Sequence, residues 1–297
     1  MVNLIAPPGV RLCPLTPQFG AVVEGVDPRN GLAAETVAAV RNALLEYKVL
    51  FFRQLNLSRK EQQAFADNFG PPFNYSGRFA VDDDEPGLSD VTVVAHFHSD
   101  YMYLEEGPSF SMLQLLTVPE VGGDTLWADL VASYEALNPA LRGLLEQLTA
   151  VQVHPSFYED PETLLESRRR RYGEDYSLEE FAKLRAALRP TEHPLVRVIP
   201  ETVRANYWVS ARHTQAIKGM SRLESDALLQ LLFHHQLDPR FILRWKWQAG
   251  DVAFWDHRTT LHSGVRDYGA AKRFGQRASI AANRPLPTSS YPASAAP

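Results

Sequence analysis

The chain has 297 residues, 45% of them hydrophobic, a formal net charge of −5 and a single cysteine, Cys13. That length and apolar content suffice for a sizeable core, the acidic balance gives no general attraction to nucleic acid or an anionic membrane surface, and one cysteine excludes both an intrachain disulfide and a thiolate zinc cluster. The N-terminal MVNLIAPPGVRL lacks the pattern of a secretion signal and no run of about 18 apolar residues occurs, so a cytoplasmic enzyme is expected, with no nucleic-acid or membrane partner and with homo-oligomer formation left open.

In chain order, FGAVVEGVDP reads as a strand ending in a turn, and residues 33–47 put Val37, Val40, Leu44 and Tyr47 on one helical face. Val49 to Phe52 is a short apolar run, the pattern of a strand buried on both faces. Ser58 with Glu61 forms a capping box and opens a helix that runs to Gly70, before Pro71 and Pro72. Residues 71–90, rich in Pro, Gly and Asp, read as a surface loop. Short strands are expected over 91–131, separated by EEGP and PEVGGD, then helical patterns to about Leu148, one opening at Asn138-Pro139.

Residues 155–193 are highly charged and read as a lid or a solvated helical insertion; the run Arg168 to Arg171 is flanked by Glu166, Glu174 and Asp175, the composition of an ion-paired face. A second capping box, Ser221 with Glu224, opens a helix towards His235, after which FILRWKW, DVAFWD and RASIAA resume strand patterns. The tail 285–297 is Pro/Ser/Ala-rich and expected to be disordered, which leaves residues 1–284 as one domain. No strand is followed by a glycine-rich phosphate loop. Many short strands with helices inserted between them predict a mainly β protein of the α+β kind, with a sandwich or jelly-roll core rather than a doubly wound parallel sheet.

Within VVAHFHSDYMY, His98 and Asp100 share a face if the backbone stays extended, because side chains alternate along a strand. A histidine and a carboxylate together make two members of the two-histidine, one-carboxylate set that holds non-haem Fe(II), and a distant histidine completes it. His262, just after DVAFW, is the first candidate, with His257 a rival and His96 a rival to His98. Arg273 and Arg277, in KRFGQRASI, stand at even spacing and point the same way if both face inward, where paired guanidinium groups suit a small dianion.

Taken in order, RLCPLTPQFGAVVEGVD, HSD, VPEVGGDTLWAD, RWKWQAGDVAFWDHRTTLH and RFGQRASI resemble the taurine dioxygenase/2,4-dichlorophenoxyacetate dioxygenase family from about Leu12 to Ala282. The resemblance implies a double-stranded β-helix (jelly-roll) core and an enzyme that uses Fe(II), 2-oxoglutarate and O2. It also implies catalytic iron ligands at His98, Asp100 and His262. Thr125 and Arg273 match the residues that hold the distal carboxylate of 2-oxoglutarate, and Arg277 matches the arginine that binds the primary substrate. The implied reaction decarboxylates 2-oxoglutarate to succinate and CO2 while oxidising a small organic anion, a carboxylate or sulfonate. Val94 stands where the taurine enzyme places an asparagine and His213 where it places a pocket phenylalanine, so taurine is not the expected substrate. Tyr75, Tyr101, Tyr103 and His213 are the remaining candidates for substrate contact. HSDYMYLEEGPSFSM is also similar to isonitrile-forming members acting on N-carboxymethyl amino acids. A non-catalytic jelly-roll binding protein is the alternative from another class.

Overall fold

The computed structural model describes residues 7–73, 97–155, 162, 165, 166, 169, 177–281 and 286–287. Tyr75, Val94, His96, Arg168, Arg170, Arg171 and most of the 71–90 loop therefore lie outside the described residues, as does most of the tail. Among the described residues no helix is long and apolar enough to cross a membrane.

The strands are β1 (Arg11–Pro14), β2 (Ala21–Glu24), β3 (Val49–Phe52), β4 (Phe110–Thr117), β5 (Thr125–Asp129), β6 (Thr149–Gln152), β7 (Thr191–Pro194) and β8 (Val196–Val198). They continue with β9 (Ala205–Tyr207), β10 (Thr214–Ile217), β11 (Ile242–Trp245), β12 (Val252–Asp256), β13 (Thr260–Gly264), β14 (Phe274–Ile280) and β15 (Leu286–Pro287). The helices are α1 (Ala34–Tyr47), α2 (Arg59–Asp67), α3 (Leu130–Glu135), α4 (Pro139–Leu145), α5 (Leu178–Ala187) and α6 (Arg222–His235).

Six strands form one sheet in the order β1-β2-β3-β12-β4-β14, and three smaller sheets run β11-β5-β13, β10-β6-β7 and β15-β8-β9. Among the described residues all pairings are antiparallel except β2 with β3. The period of two along a strand sorts the large sheet into two buried faces. Leu50, Phe52, Phe110, Met112, Val252, Phe254, Ala278 and Ile280 meet the apolar sides of α1 and α2. Val49, Phe51, Leu115, Ala253 and Trp255 meet Trp127, Leu243, Trp245 and Trp247 of the β11-β5-β13 side. That is why Val49 to Phe52 carries no polar residue: both of its faces are covered.

Both capping boxes form, Ser58 with Glu61 and Ser221 with Glu224. The first helix they open stops at Asp67, short of the expected Gly70, because residues 68–70 turn towards Pro71. The end of the charged 155–193 segment forms β7, paired with β6. Leu286 and Pro287, inside the stretch expected to be disordered, pair with the edge of β8.

One buried ion pair joins three elements. Lys48 closes α1 in a left-handed conformation (φ 66°), and its Nζ lies 2.9 Å from Asp129 Oδ2 while donating to Gln18 O at 2.9 Å. Asp129 Oδ1 in turn accepts from the backbone N–H groups of Val131 and Ala132 and so caps α3. Removing one member of a fully buried pair strands the other charge, at a cost of about 3–5 kcal/mol. Lys48→Met is expected to lower the denaturant midpoint accordingly, and Lys48→Met with Asp129→Asn to recover part of the loss. Equal stability of Lys48→Met and the parent in urea unfolding would show that the pair contributes nothing.

Candidate functional site

His98 and His262 exchange both backbone hydrogen bonds, His98 N–H to His262 O at 3.0 Å and His262 N–H to His98 O at 2.7 Å. This isolated antiparallel bridge extends the β11-β5-β13 sheet by one residue. Directly opposed residues project to one side of a sheet, and the two imidazole centroids stand 4.5 Å apart. Past Ser99 the chain does not stay extended as the sequence pattern required: it turns at Asp100, and Tyr101 takes φ 58°. The turn brings Asp100 Oδ1 within 3.4 Å of His98 Nε2, and Asp100 Oδ2 within 3.8 Å of His262 Nε2. One ligand atom from each of the three residues lies within 4.8 Å of the others.

Burial opposes ionisation of Asp100, but Arg277, His262, His98 and His257 together outweigh it and hold the carboxyl well below its usual range. Burial pushes the His262 imidazole down, against the pull of Asp100. The set therefore offers an ionised carboxylate and a neutral His262 imidazole, the forms that bind a metal ion.

His257, the rival ligand, does not face this cluster as a donor. Its Nδ1 lies 3.0 Å from Ser99 Oγ and 3.3 Å from the Trp255 Nε1–H, and its Nε2 lies 2.8 Å from Ser111 Oγ. Both nitrogens are thus engaged, and burial pushes the ring down to about 4, with Asp100 pulling the other way.

Arg273 and Thr125 meet. The Arg273 guanidinium donates from NH2 to Thr125 Oγ1 at 3.0 Å and from Nε to Gly123 O at 2.9 Å, and Trp247 Nε1–H also donates to Thr125 Oγ1, at 2.9 Å. The GGDTLW motif explains the arrangement. Gly122 and Gly123 have φ of 80° and 74°, and a Cβ on Gly122 would sit 2.8 Å from Asp267 O. This turn aims the Gly123 carbonyl at Arg273 while its N–H donates to Asp267 Oδ1 at 2.8 Å. Thr125 pairs across with Gly264, and Trp127 with His262, so the hydroxyl and the imidazole leave the same face of one small sheet.

Arg277 lies on β14 opposite Leu113, on the face turned to Trp255, and donates from NH1 to Asp100 Oδ2 at 2.6 Å. A run of rings leads outward from His98: His213 at 6.2 Å between centroids, Tyr103 at 5.5 Å from His213, then Tyr101 at 6.1 Å and Phe73 at 5.3 Å from Tyr101. His154 stands edge-on to Tyr103 at 4.8 Å. His213 Nδ1 lies 3.2 Å from the Val153 carbonyl, which can only accept, so Nδ1 carries the proton. Burial is the main influence keeping this ring neutral, with His98 and Arg212 adding to it.

The structure thus gathers His98, Asp100, His262, Arg277, Tyr101, Tyr103 and His213 at one place and seats Thr125 against Arg273. Tyr75 is outside the described residues. Phe73, His154, Trp247 and Trp255 were not expected there; the RWKW alternation carries a signal for Trp247, because it places that ring in the core beside Trp245.

Comparison with known proteins agrees over nearly the whole chain. The family model described as taurine catabolism dioxygenase TauD, TfdA family matches residues 12–279. An alkylsulfatase of Acinetobacter baylyi is 34% identical over 92% of this chain and 85% of its own length. The alpha-ketoglutarate-dependent 2,4-dichlorophenoxyacetate dioxygenase of Cupriavidus pinatubonensis is 32% identical over 89% of this chain and 95% of its own. A taurine dioxygenase crystal structure from Burkholderia xenovorans superposes with a TM-score of 0.75 at 29% identity, covering 96% of this chain and 95% of that one. The chain belongs to the taurine catabolism dioxygenase TauD, TfdA family.

Proposed function

We propose that this chain is an Fe(II)- and 2-oxoglutarate-dependent dioxygenase that oxidises a small organic anion, with His98, Asp100 and His262 as the iron ligands. The convergence of these three donors beside an arginine anchored on a threonine carries the reading. A binding module would not need the whole set. The sandwiched sheets support a double-stranded β-helix core, and the family match over 12–279 supports one domain over 1–284.

When bound, Fe(II) supplies the centre at which O2 and 2-oxoglutarate react, giving succinate, CO2 and oxidised substrate. The protein supplies position and charge. Asp100 and the two histidines would hold the ion through three protein donors. Arg273 and Thr125 receive the distal carboxylate of 2-oxoglutarate: the guanidinium cannot lose its proton, and its bonds to Gly123 O and Thr125 Oγ1 fix its plane in advance. Arg277 anchors the substrate anion while holding Asp100, and Tyr101, Tyr103 and His213 form the wall around the rest of it. The relatives, named for alkyl sulfates, taurine and 2,4-dichlorophenoxyacetate, support an anionic substrate.

Succinate release from 2-oxoglutarate under air, with and without Fe(II), across sulfate esters, sulfonates and phenoxy acids, tests the proposal. Iron-dependent succinate triggered by at least one such anion is expected; none with any of them counts against it.

Three variant sets divide the roles. His98→Ala and His262→Ala should each abolish tight Fe(II) binding and turnover, because two donors cannot fix the ion. Parental turnover of either in metal-controlled buffer would mean that the ligands are misassigned. Arg273→Ala should weaken 2-oxoglutarate binding by about 3–5 kcal/mol, and Thr125→Ala by about 1 kcal/mol, measured by titration of the anaerobic iron-loaded protein. An unchanged affinity in Arg273→Ala removes that arginine from the co-substrate site.

The Arg277 contact with Asp100 complicates the third set, since Arg277→Ala disturbs a metal ligand as well as a substrate anchor. Arg277→Lys keeps a cation near Asp100 but loses the planar fork. It is expected to bind metal and 2-oxoglutarate nearly as the parent does and to lose substrate kcat/KM by at least about tenfold, whereas Arg277→Ala loses metal affinity too. If Arg277→Lys instead loses 2-oxoglutarate affinity and keeps its substrate preference, Arg277 serves the co-substrate.

A further inference from the structure

His257 lies in the turn between β12 and β13, fully buried, its N–H donating to Ser109 O at 2.8 Å. None of the roles assigned above uses it. Its side chain nevertheless reaches the one residue between the two neighbouring metal-site donors. Ser99, also fully buried, places its Oγ 3.0 Å from His257 Nδ1 and 2.9 Å from His257 O.

The tautomer follows from Trp255. An indole N–H can only donate, so at 3.3 Å it requires a lone pair on Nδ1. The ring proton is then on Nε2 and is donated to Ser111 Oγ at 2.8 Å, and Ser111 Oγ lies 3.0 Å from Ser279 Oγ on β14. The same Nε2 is 3.6 Å from Asp100 Oδ2. Ser99 Oγ has a single proton to donate, and with Nδ1 unprotonated that proton is shared between His257 O and Nδ1; the imidazole therefore meets Ser99 through one nitrogen and stands beside Asp100 with the other.

We propose that His257 is a positioning residue of the metal site, holding Ser99 so that His98 before it and Asp100 after it stay turned towards His262. The residue acts through Ser99 and Asp100 and touches no reactant. This rests on the assignment of His98, Asp100 and His262 as ligands. Outer partners that orient metal ligands typically change metal affinity by about 10–100-fold when removed.

The test is anaerobic Co(II) titration of the full chain, read by the visible ligand-field bands, which report both affinity and coordination geometry. His257→Leu keeps the volume and loses both polar atoms; it should bind Co(II) at least about tenfold more weakly, with altered bands. His257→Asn, which restores an acceptor near Nδ1, should recover most of the affinity. Ser99→Ala should reproduce the loss, and Ser99→Ala combined with His257→Leu should be no worse than His257→Leu alone, because the two residues act in one chain of contacts.

Parental affinity and bands in Ser99→Ala and His257→Leu overturn the proposal. Should His257→Leu fail to fold, Ser99→Ala decides it alone, since it removes a single oxygen atom. Failure of the underlying assignment looks different: the parent gives no Co(II) bands, or His98→Ala binds Co(II) as the parent does.

Discussion

The site depends on two backbone hydrogen bonds, those exchanged by His98 and His262. They tie the segment beginning at Phe97 to the edge of β13, and they set the spacing of two imidazoles before any ligand is present. A slip of one residue would turn one ring to the opposite face, since strand side chains alternate. The edge that receives His98 is itself held on its other side. β13 pairs with β5, β5 with β11, and the Trp127 and Trp245 rings from that sheet lie against Phe51 of the large one. Precision at the histidines is thus inherited from the sandwich core.

Charge is arranged on that frame with equal economy. Asp100 is the acidic member of the cluster, and Arg277, His98, His257 and His262 surround it. Burial is the first influence lowering Arg273, Tyr268 opposes it, and the proximity of Arg277 lowers it further. Two guanidinium groups that feel each other across a mostly buried site are best relieved by an anion between or beside them. A dianionic co-substrate and an anionic substrate meet that electrostatic requirement; neutral molecules would leave it unmet.

Much of this was legible in the sequence where the signal is local. The capping boxes, the α1 face and the doubly buried Val49 to Phe52 follow from patterns a few residues long, and each has its structural counterpart. The HSD and GGDTLW motifs also pointed to the right neighbourhood, one through two ligand-type residues close together and the other through glycines whose positive φ the turn requires. What was not legible is contact between distant residues of ordinary type. Nothing local marks Lys48 as the partner of Asp129, Ser99 as the partner of His257, or Arg277 as the partner of Asp100. The extended reading of His98 to Asp100 failed for a related reason: Tyr101 adopts a positive φ that its type disfavours, and only surrounding structure can impose it.

The Arg277 contact also shows why this position calls for arginine. The carboxylate of Asp100 has two oxygens that face different surroundings, Oδ1 towards His98 Nε2 at 3.4 Å and Oδ2 held by Arg277 NH1 at 2.6 Å. Because Oδ2, which also faces His262 Nε2 at 3.8 Å, is already fixed by a charge-assisted bond, the carboxylate cannot rotate freely, and Oδ1 is presented to His98 in a set direction. The guanidinium that does this is positioned in turn by the sheet: its carbon lies 5.4 Å from the centre of the Trp255 ring, which also stands 5.2 Å from the His262 ring. An ammonium could supply the charge at Asp100, yet it would lack the planar fork that a second anion needs. Trp255, Arg277 and Asp100 therefore form a chain in which an aromatic core residue of the large sheet aligns a cation, the cation aligns a carboxylate, and the carboxylate completes a cluster whose other members come from the small sheet and the segment bridged to it.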